Sequence, residues 1–179
     1  MKGLKIFALA LFVIVAAQGK VFAAMPEVSA NETYFDMFKG VYVLKGNVNV
    51  AMNNHGFKAS ITADEAFVSV LKQKCWANGK VKLLHGEITF SCDRAYLEWA
   101  TYTAKVTGKV KFVNKKSVTI NSDTAIFNWQ DKIADFYGKV TIDGKTYQHV
   151  QYNVVEDKIL ACDKTFTAPR IIIPSVDES

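Results

Sequence analysis

Proline is scarce in this chain and confined to its ends. Only Pro26, Pro169 and Pro174 occur, so the long interior has none. Proline lacks a backbone N–H and interrupts the hydrogen-bond ladder of a strand. Its absence from the interior suits an extended sheet, and a content of 50% hydrophobic residues excludes a disordered chain. At 179 residues the chain is long enough for one domain with its own core.

Histidine is equally rare, and the usual signatures of catalysis are missing. His55, His85 and His149 stand apart, with no His, Cys or carboxylate at metal-ligand spacing. The sequence contains no G-x-S-x-G, no phosphate-binding loop and no Cys–His signature. We therefore predict no enzyme activity, no metal and no other cofactor.

The chain has only three cysteines, and each lies on a strand-like segment. Cys92, for example, lies on the same face of its predicted strand as Ile88 and Phe90. Cys75, Cys92 and Cys162 are either small buried hydrophobic side chains, the interpretation that we favour, or a single disulfide with one thiol left over.

The chain has no large charge excess when its N-terminal segment is left out of the count. Lys2 and Lys5 precede the apolar run Ile6–Ala17, and small residues up to Ala23 provide a signal-peptidase site. We predict that residues 1–23 are a cleaved secretory signal. An uncleaved anchor is the alternative, although the run is shorter than the ~20 residues of a spanning helix. Without this segment the 22 basic residues fall to 19 against 17 acidic ones, which gives no reason to expect a nucleic-acid partner.

What the sequence has in abundance is an internal repeat. A Gly-x-Val tripeptide begins a similar segment roughly every 30 residues, at Gly46, Gly79, Gly108 and Gly138. In three copies an Asp follows, with an Ala two residues later. These pairs are Asp64 with Ala66, Asp93 with Ala95, and Asp123 with Ala125.

Side chains within each copy alternate between polar and apolar. In the third copy Lys109 and Lys111 alternate with Val110 and Phe112, the period of a strand with one wet face and one buried face. Polar turns such as Asp143-Gly144 separate successive runs and are typical of hairpins. The pattern predicts an all-β fold built from ~30-residue hairpin repeats.

The alternation breaks once in each copy, at the Asp-x-Ala step. Phe90 and Cys92 share one face, whereas the next inward pair, Ala95 and Leu97, is one residue out of step. Because a one-residue slip would turn the strand inside out, a bulge or corner must lie there. We predict two curved antiparallel sheets that face each other across one apolar interior and extend along one axis. The recurring aspartates are then corner residues rather than catalytic or calcium-binding groups: Asp64, Asp93 and Asp123.

The predicted interior is lined by the inward side chains of the repeats. They either pack on each other as a closed β-sandwich core or leave a groove along one side, where each buried acyl CH₂ would contribute ~0.8 kcal/mol. The predicted lining residues are Val81, Leu83, Ile88, Phe90, Leu97, Trp99, Val110, Phe112, Val118, Ile120, Phe127, Trp129, Phe136 and Val140.

Two segments and their context resemble a known family. ITADEAFV at Ile61–Val68 and GNVNV at Gly46–Val50, with the recurring Gly-x-Val, the Asp-x-Ala step and a signal segment, are similar to the OstA-like periplasmic family of LptA-type lipopolysaccharide export proteins. The similarity extends from about Val28 to Cys162. It implies an elongated, open, twisted antiparallel β-jellyroll over residues 24–168, whose inward residues contact lipid A acyl chains.

The ends of such a sheet carry unpaired backbone groups that invite strand addition by a partner. The run Ile171, Ile172 and Ile173 predicts a last strand within the C-terminal segment, residues 169–179; a tail that covers the end is the alternative. At the opposite end we expect Tyr42, Val43 and Leu44, or the segment from Val28.

The family resemblance implies a function without chemistry. It predicts a periplasmic protein that binds and transports lipopolysaccharide and shields the acyl chains in an apolar groove. Its expected partners are an inner-membrane transport complex, an outer-membrane translocon and further copies of itself, joined head to tail. The alternatives are a structural β-repeat scaffold without lipid, and an inner-membrane-anchored relative of the same transport system.

Overall fold

The computed structural model describes residues 27–54, 57–69, 71–85, 87–114 and 118–177. The predicted signal segment, residues 1–23, lies outside these ranges. Within them, no helix is both long enough and apolar enough to cross a membrane.

Antiparallel strands form nearly all of the regular secondary structure in the described ranges, and they confirm the all-β prediction. A short 3-10 turn, Trp99–Thr101, is the exception. The strands are β1 (Glu27–Ser29), β2 (Glu32–Asp36), β3 (Val41–Asn54), β4 (Phe57–Ser69), β5 (Lys74–His85), β6 (Ile88–Glu98), β7 (Thr103–Val113), β8 (Thr119–Asn128), β9 (Ile133–Ile142), β10 (Lys145–Asn153) and β11 (Lys158–Asp163).

All these strands belong to one sheet in which sequence neighbours pair. From β3 onward the order follows the chain to β11, while β1 and β2 both pair with the outer edge of β3. The sheet is open, since β11 does not pair back onto β1 or β2 in the described part of the chain. Ten strand positions at about 4.8 Å make an elongated body.

A line of register shifts crosses every strand pair from β3 to β10 at the same level. On β7 the shift consists of Gly108 and Lys109, with φ of 81° and 48°, opposite the single residue Asp123 of β8. Two left-handed residues against one make a bulge that bends the strand. Equivalent Gly-x pairs lie on β3, β5 and β9. The predicted corner is therefore present.

The corner divides each long strand into two arms. Arm A contains the strand halves that meet at the turns after β3, β5, β7 and β9, such as residues 110–113 of β7. Arm B contains the halves that meet at the turns after β2, β4, β6, β8 and β10, such as residues 103–107 of β7. The two sheets predicted from the sequence are thus the two arms of one folded sheet.

Ring contacts demonstrate that the arms face each other. Phe112 of arm A lies 5.7 Å from Phe136 and 5.1 Å from Tyr152, both of arm B, between ring centroids. β7 and β10 are three strands apart in the sheet, which is about 14 Å at 4.8 Å per strand, so their rings meet only across the fold. The core lies between the arms.

The outer face of arm B carries a second buried layer, which the sequence did not predict. Trp76 and Tyr96 are buried there, with ring centroids 5.4 Å apart. The C-terminal segment crosses this face: Phe166 stacks on His149 at 4.4 Å, and Pro174 accepts a hydrogen bond from the Trp76 indole N–H at 2.9 Å. This segment is therefore a third layer over arm B.

The segments predicted as assembly edges are placed differently from one another. Residues 171–173 form no strand and belong to the C-terminal segment that crosses the outer face of arm B. Tyr42, Val43 and Leu44 pair with β2 on one side and β4 on the other, so they are not a free edge. The segment from Val28 does form an edge, as β1.

Replacing Gly108 with alanine should destabilise the corner. A Cβ at Gly108 would lie 2.8 Å from Asp93 Cβ and 2.6 Å from its Oδ2. Gly144 is the matched control, because it has a similar φ of 74° but nothing within 4 Å of an added Cβ. Both changes strain the backbone, and we expect Gly108→Ala to lower the free energy of unfolding by about 1–3 kcal/mol more than Gly144→Ala, since only it overpacks. Urea unfolding measures both, and equal losses would contradict the proposed contact.

Candidate functional site

The candidate site is the apolar interior between the arms, and most of the predicted lining residues lie in it. Seven are buried in its core: Val81, Ile88, Val110, Phe112, Ile120, Phe136 and Val140. Four more are half-buried and pack against that core: Phe90, Leu97, Val118 and Phe127.

The remaining three predicted residues are placed differently. Leu83 is half-buried and pairs with Phe90, whose face it shares, although it is not part of the core cluster. Trp129 lies in the turn after β8, where its ring meets Tyr102 edge-on at 6.2 Å, so it belongs to the rim of arm B. The side chain of Trp99 lies outside what the structure describes.

Sequence reasoning left several core residues out of the lining. Alanines border the corner in both arms, and Tyr152 and Val150 fill the interior near its C-terminal end. The alternation that puts Phe127 inside also puts Ala125 inside, so the alanines had a signal. The sequence pattern indicated Tyr152 less clearly, because a bulge at Gln148 interrupts the alternation of inward and outward side chains along β10. The omitted buried residues are Leu44, Val48, Ala63, Ala66, Val68, Ala77, Cys92, Ala95, Val106, Ala125, Ala134, Ile142, Val150 and Tyr152.

On two strands, burial in the interior decreases from the corner to the next inward residue. On β6 the residues next to the corner, Cys92 and Ala95, are buried, whereas Phe90 and Leu97, one step further out on either side, are half-buried. On β8 Ala125 and Phe127 repeat the pattern. Partly exposed apolar side chains therefore lie at these positions towards the rims, although Ile88, further out on β6, is buried.

A polar contact joins the arms near the C-terminal end of the interior. Asn114, at the end of β7, donates from Nδ2 to the Tyr152 hydroxyl at 2.7 Å and accepts from the Val118 N–H at 2.7 Å. The Tyr152 hydroxyl donates in turn to Asp157. Burial, followed by the bond to Asp157, raises the pKa of Tyr152 to about 12, so it stays a neutral donor at neutral pH.

The most conspicuous polar cluster lies on the outer face, around His149. Its Nδ1 contacts Asp163 and its Nε2 contacts Asp135, each at 2.9 Å, and its ring belongs to a stacked group with Tyr137 and Phe166. No sequence pattern pointed to these carboxylates, which the sheet brings from two neighbouring strands. The cluster joins β9, β10 and β11 to the C-terminal segment. Among the described residues, no group of three or more His, Cys, Asp or Glu side chains could hold a metal ion.

All three cysteines are free thiols, so the alternative of a disulfide is wrong. Cys92 is buried in the interior and Cys75 is half-buried, whereas Cys162 is exposed on β11. Burial raises the pKa of Cys75 and of Cys92 to about 12. Because the thiolate is the reactive form, these two are chemically inert at neutral pH.

We expect one thiol of the native protein to react with Ellman's reagent at pH 8. Cys162 should react promptly and Cys75 and Cys92 should not, while all three should react in denaturant. The reactivity of the two protected thiols should rise only as the pH approaches 12. Cys162→Ser is the control and should abolish the native signal. Rapid reaction of all three native thiols would contradict the burial described above.

Sequence comparison identifies no relative of this chain. No protein-family model matches it, and no curated protein matches it.

Comparison of folds does find similar structures. Seventeen chains of solved structures match. One is the crystal structure of LptH from Pseudomonas aeruginosa, described as the LptA-homologous periplasmic component of the conserved lipopolysaccharide transport device. The match has a TM-score of 0.55 and 12% sequence identity, and it covers 65% of this chain and 92% of LptH. This protein therefore has an open antiparallel β fold similar to that of LptH.

Proposed function

We propose that this protein binds the acyl chains of lipopolysaccharide in the interior between its arms and transfers it across the periplasm. The observation that carries the proposal is the row of half-buried apolar side chains along the rims of the interior, among them Leu83, Phe90 and Leu97. The fold shared with LptH, a periplasmic lipopolysaccharide transport component, supports the same function.

The chemistry of the two faces of arm A suits an amphiphile. Leu83 faces the interior, whereas its neighbours Lys82 and Leu84 point to the exposed outer face, and Lys111 continues that face on β7. An acyl chain that enters from the rim leaves water for an apolar surface and gains about 0.8 kcal/mol per buried CH₂. A charged headgroup would remain in solvent at the rim.

The edges of the sheet support a role as a bridge. β1 and β2 form one edge and β11 the other, and each presents backbone groups without a strand partner within the described residues. Such edges accept a strand from another protein. Partners in the inner and outer membranes, or further copies of this chain, would extend the sheet by pairing there.

A scaffold without lipid is the second candidate, and one observation favours it. Around Phe136, which has no exposed surface, the interior is packed by protein side chains alone. A core closed in this way along its whole length would bind nothing.

Site-specific photo-cross-linking separates these candidates. A benzophenone amino acid at Leu83 should label lipopolysaccharide in the intact protein, because this residue faces the interior. The same residue at Lys82, the adjacent outward position on β5, is the matched control and should label at background level. The adducts are detected as a shift that reacts with an antibody against lipopolysaccharide.

Two results would contradict the proposed function. Equal labelling at Leu83 and Lys82 would indicate non-specific adsorption, and the absence of label at both would favour the closed scaffold. Circular dichroism of each variant verifies that the sheet is intact.

A further inference from the structure

We infer that the groove ends inside this molecule, at a wall of three aromatic rings formed by Phe112, Phe136 and Tyr152, and that acyl chains occupy only the part on the side of β3–β6. The inference rests on the proposed function and adds to it the extent of the binding site.

The rings of the wall fill the space between the arms. Phe112 projects from arm A, and Phe136 and Tyr152 from arm B, with centroid distances of 5.7 and 5.1 Å from Phe112. Rings at these separations are in contact. Phe112 lies on β7 whereas its partners lie on β9 and β10, so the wall crosses the interior obliquely, as facing sheets do.

Residual exposure differs on the two sides of the wall. The buried inward residues of β4, β5 and β6 keep 4–7% of their surface exposed, and five of them are small: Ala63, Ala66, Ala77, Cys92 and Ala95. By contrast, several inward residues of β8–β10 are sealed at 0–1%: Ile120, Ala125, Phe136, Val140, Val150 and Tyr152. Packing is therefore somewhat looser on β4–β6 than among these residues, although Leu44 of β3 is also only 1% exposed.

The polar contact between the arms fixes the wall. Tyr152 is held by Asn114 on arm A, whose side chain also closes the turn to Val118. Separating the arms at this point would leave the buried Asn114 amide without its partner, which opposes separation. No comparable bond joins the arms on β4–β6 in the described part of the chain.

One row of arm B provides matched positions on the two sides of the wall. Leu97 of β6 and Ile159 of β11 lie in the same row, which continues through Ala104, Phe127 and Ala134 to Tyr152. Leu97 and Ile159 are isomeric side chains, both half-buried and both packed against the core. They differ mainly in lying before and after Tyr152.

The experiment is photo-cross-linking of lipopolysaccharide with a benzophenone amino acid at Leu97 or Ile159 of the full chain. Because the probe labels only what it touches, we expect label at Leu97 to exceed label at Ile159 at least about fivefold. Removing the ring with Phe112→Ala should open the wall and raise label at Ile159 towards that at Leu97. Tyr152→Phe keeps the ring and removes only the bonds of its hydroxyl to Asn114 and Asp157, so we expect the ratio to fall less than with Phe112→Ala.

The outcomes separate this inference from the proposed function. Strong and equal label at Leu97 and Ile159 in the unaltered protein contradicts a groove that ends at the wall, but it agrees with lipid binding. No label at either position overturns both. If Phe112→Ala does not fold, the ratio of label at Leu97 to label at Ile159, measured in the unaltered protein and in Tyr152→Phe, still tests the inference.

Discussion

The corner is the constraint on which the rest of this structure depends. At each crossing, two consecutive residues on one strand adopt left-handed backbone angles against a single residue on the next, at a cost of order 1–3 kcal/mol for each strained non-glycine residue such as Lys109. The cost is met at every repeat because an unbent sheet would leave one whole face of apolar side chains in water. Folding along this line turns a flat ribbon into two arms that bury that face.

The corner also explains which features of the fold the sequence pattern predicts and which it does not. On β6 the shift moves the inward set by three residues, from Cys92 to Ala95, so the alternation visibly breaks. On β7 the inward set moves by four, from Val106 to Val110, and an even step leaves the alternation intact. The corner was therefore predictable from the Asp-bearing strands, while the left-handed pair on the Gly-bearing strands was not.

The wall and the outer layer were beyond prediction for a different reason. The contact of Phe112 with Tyr152 depends on the angle at which the arms cross, and alternation says only that both rings point inward. The burial of Trp76 depends on a segment almost a hundred residues later, since its indole partner is Pro174. The lining, by contrast, follows from local alternation, which is why eleven of the fourteen predicted lining residues lie in or against the core.

The interior balances two opposing demands. A protein that stands alone must bury its apolar face, and near Phe136 it does so with its own side chains. A protein that takes up an acyl chain must leave apolar surface uncovered, and the rims of β5 and β6 do so at Leu83 and Leu97. One sheet meets both demands by packing tightly at one end and loosely at the other.

The C-terminal layer over arm B has a consequence for the order of folding. Strand pairs join neighbours in the chain, so each hairpin closes a short loop and the sheet can grow one strand at a time from its N-terminal end. The bond between Trp76 and Pro174 closes a loop of 98 residues, and contacts of such separation form late because the loop entropy must be offset first. The layer is therefore the last element to dock, on a sheet that is already assembled.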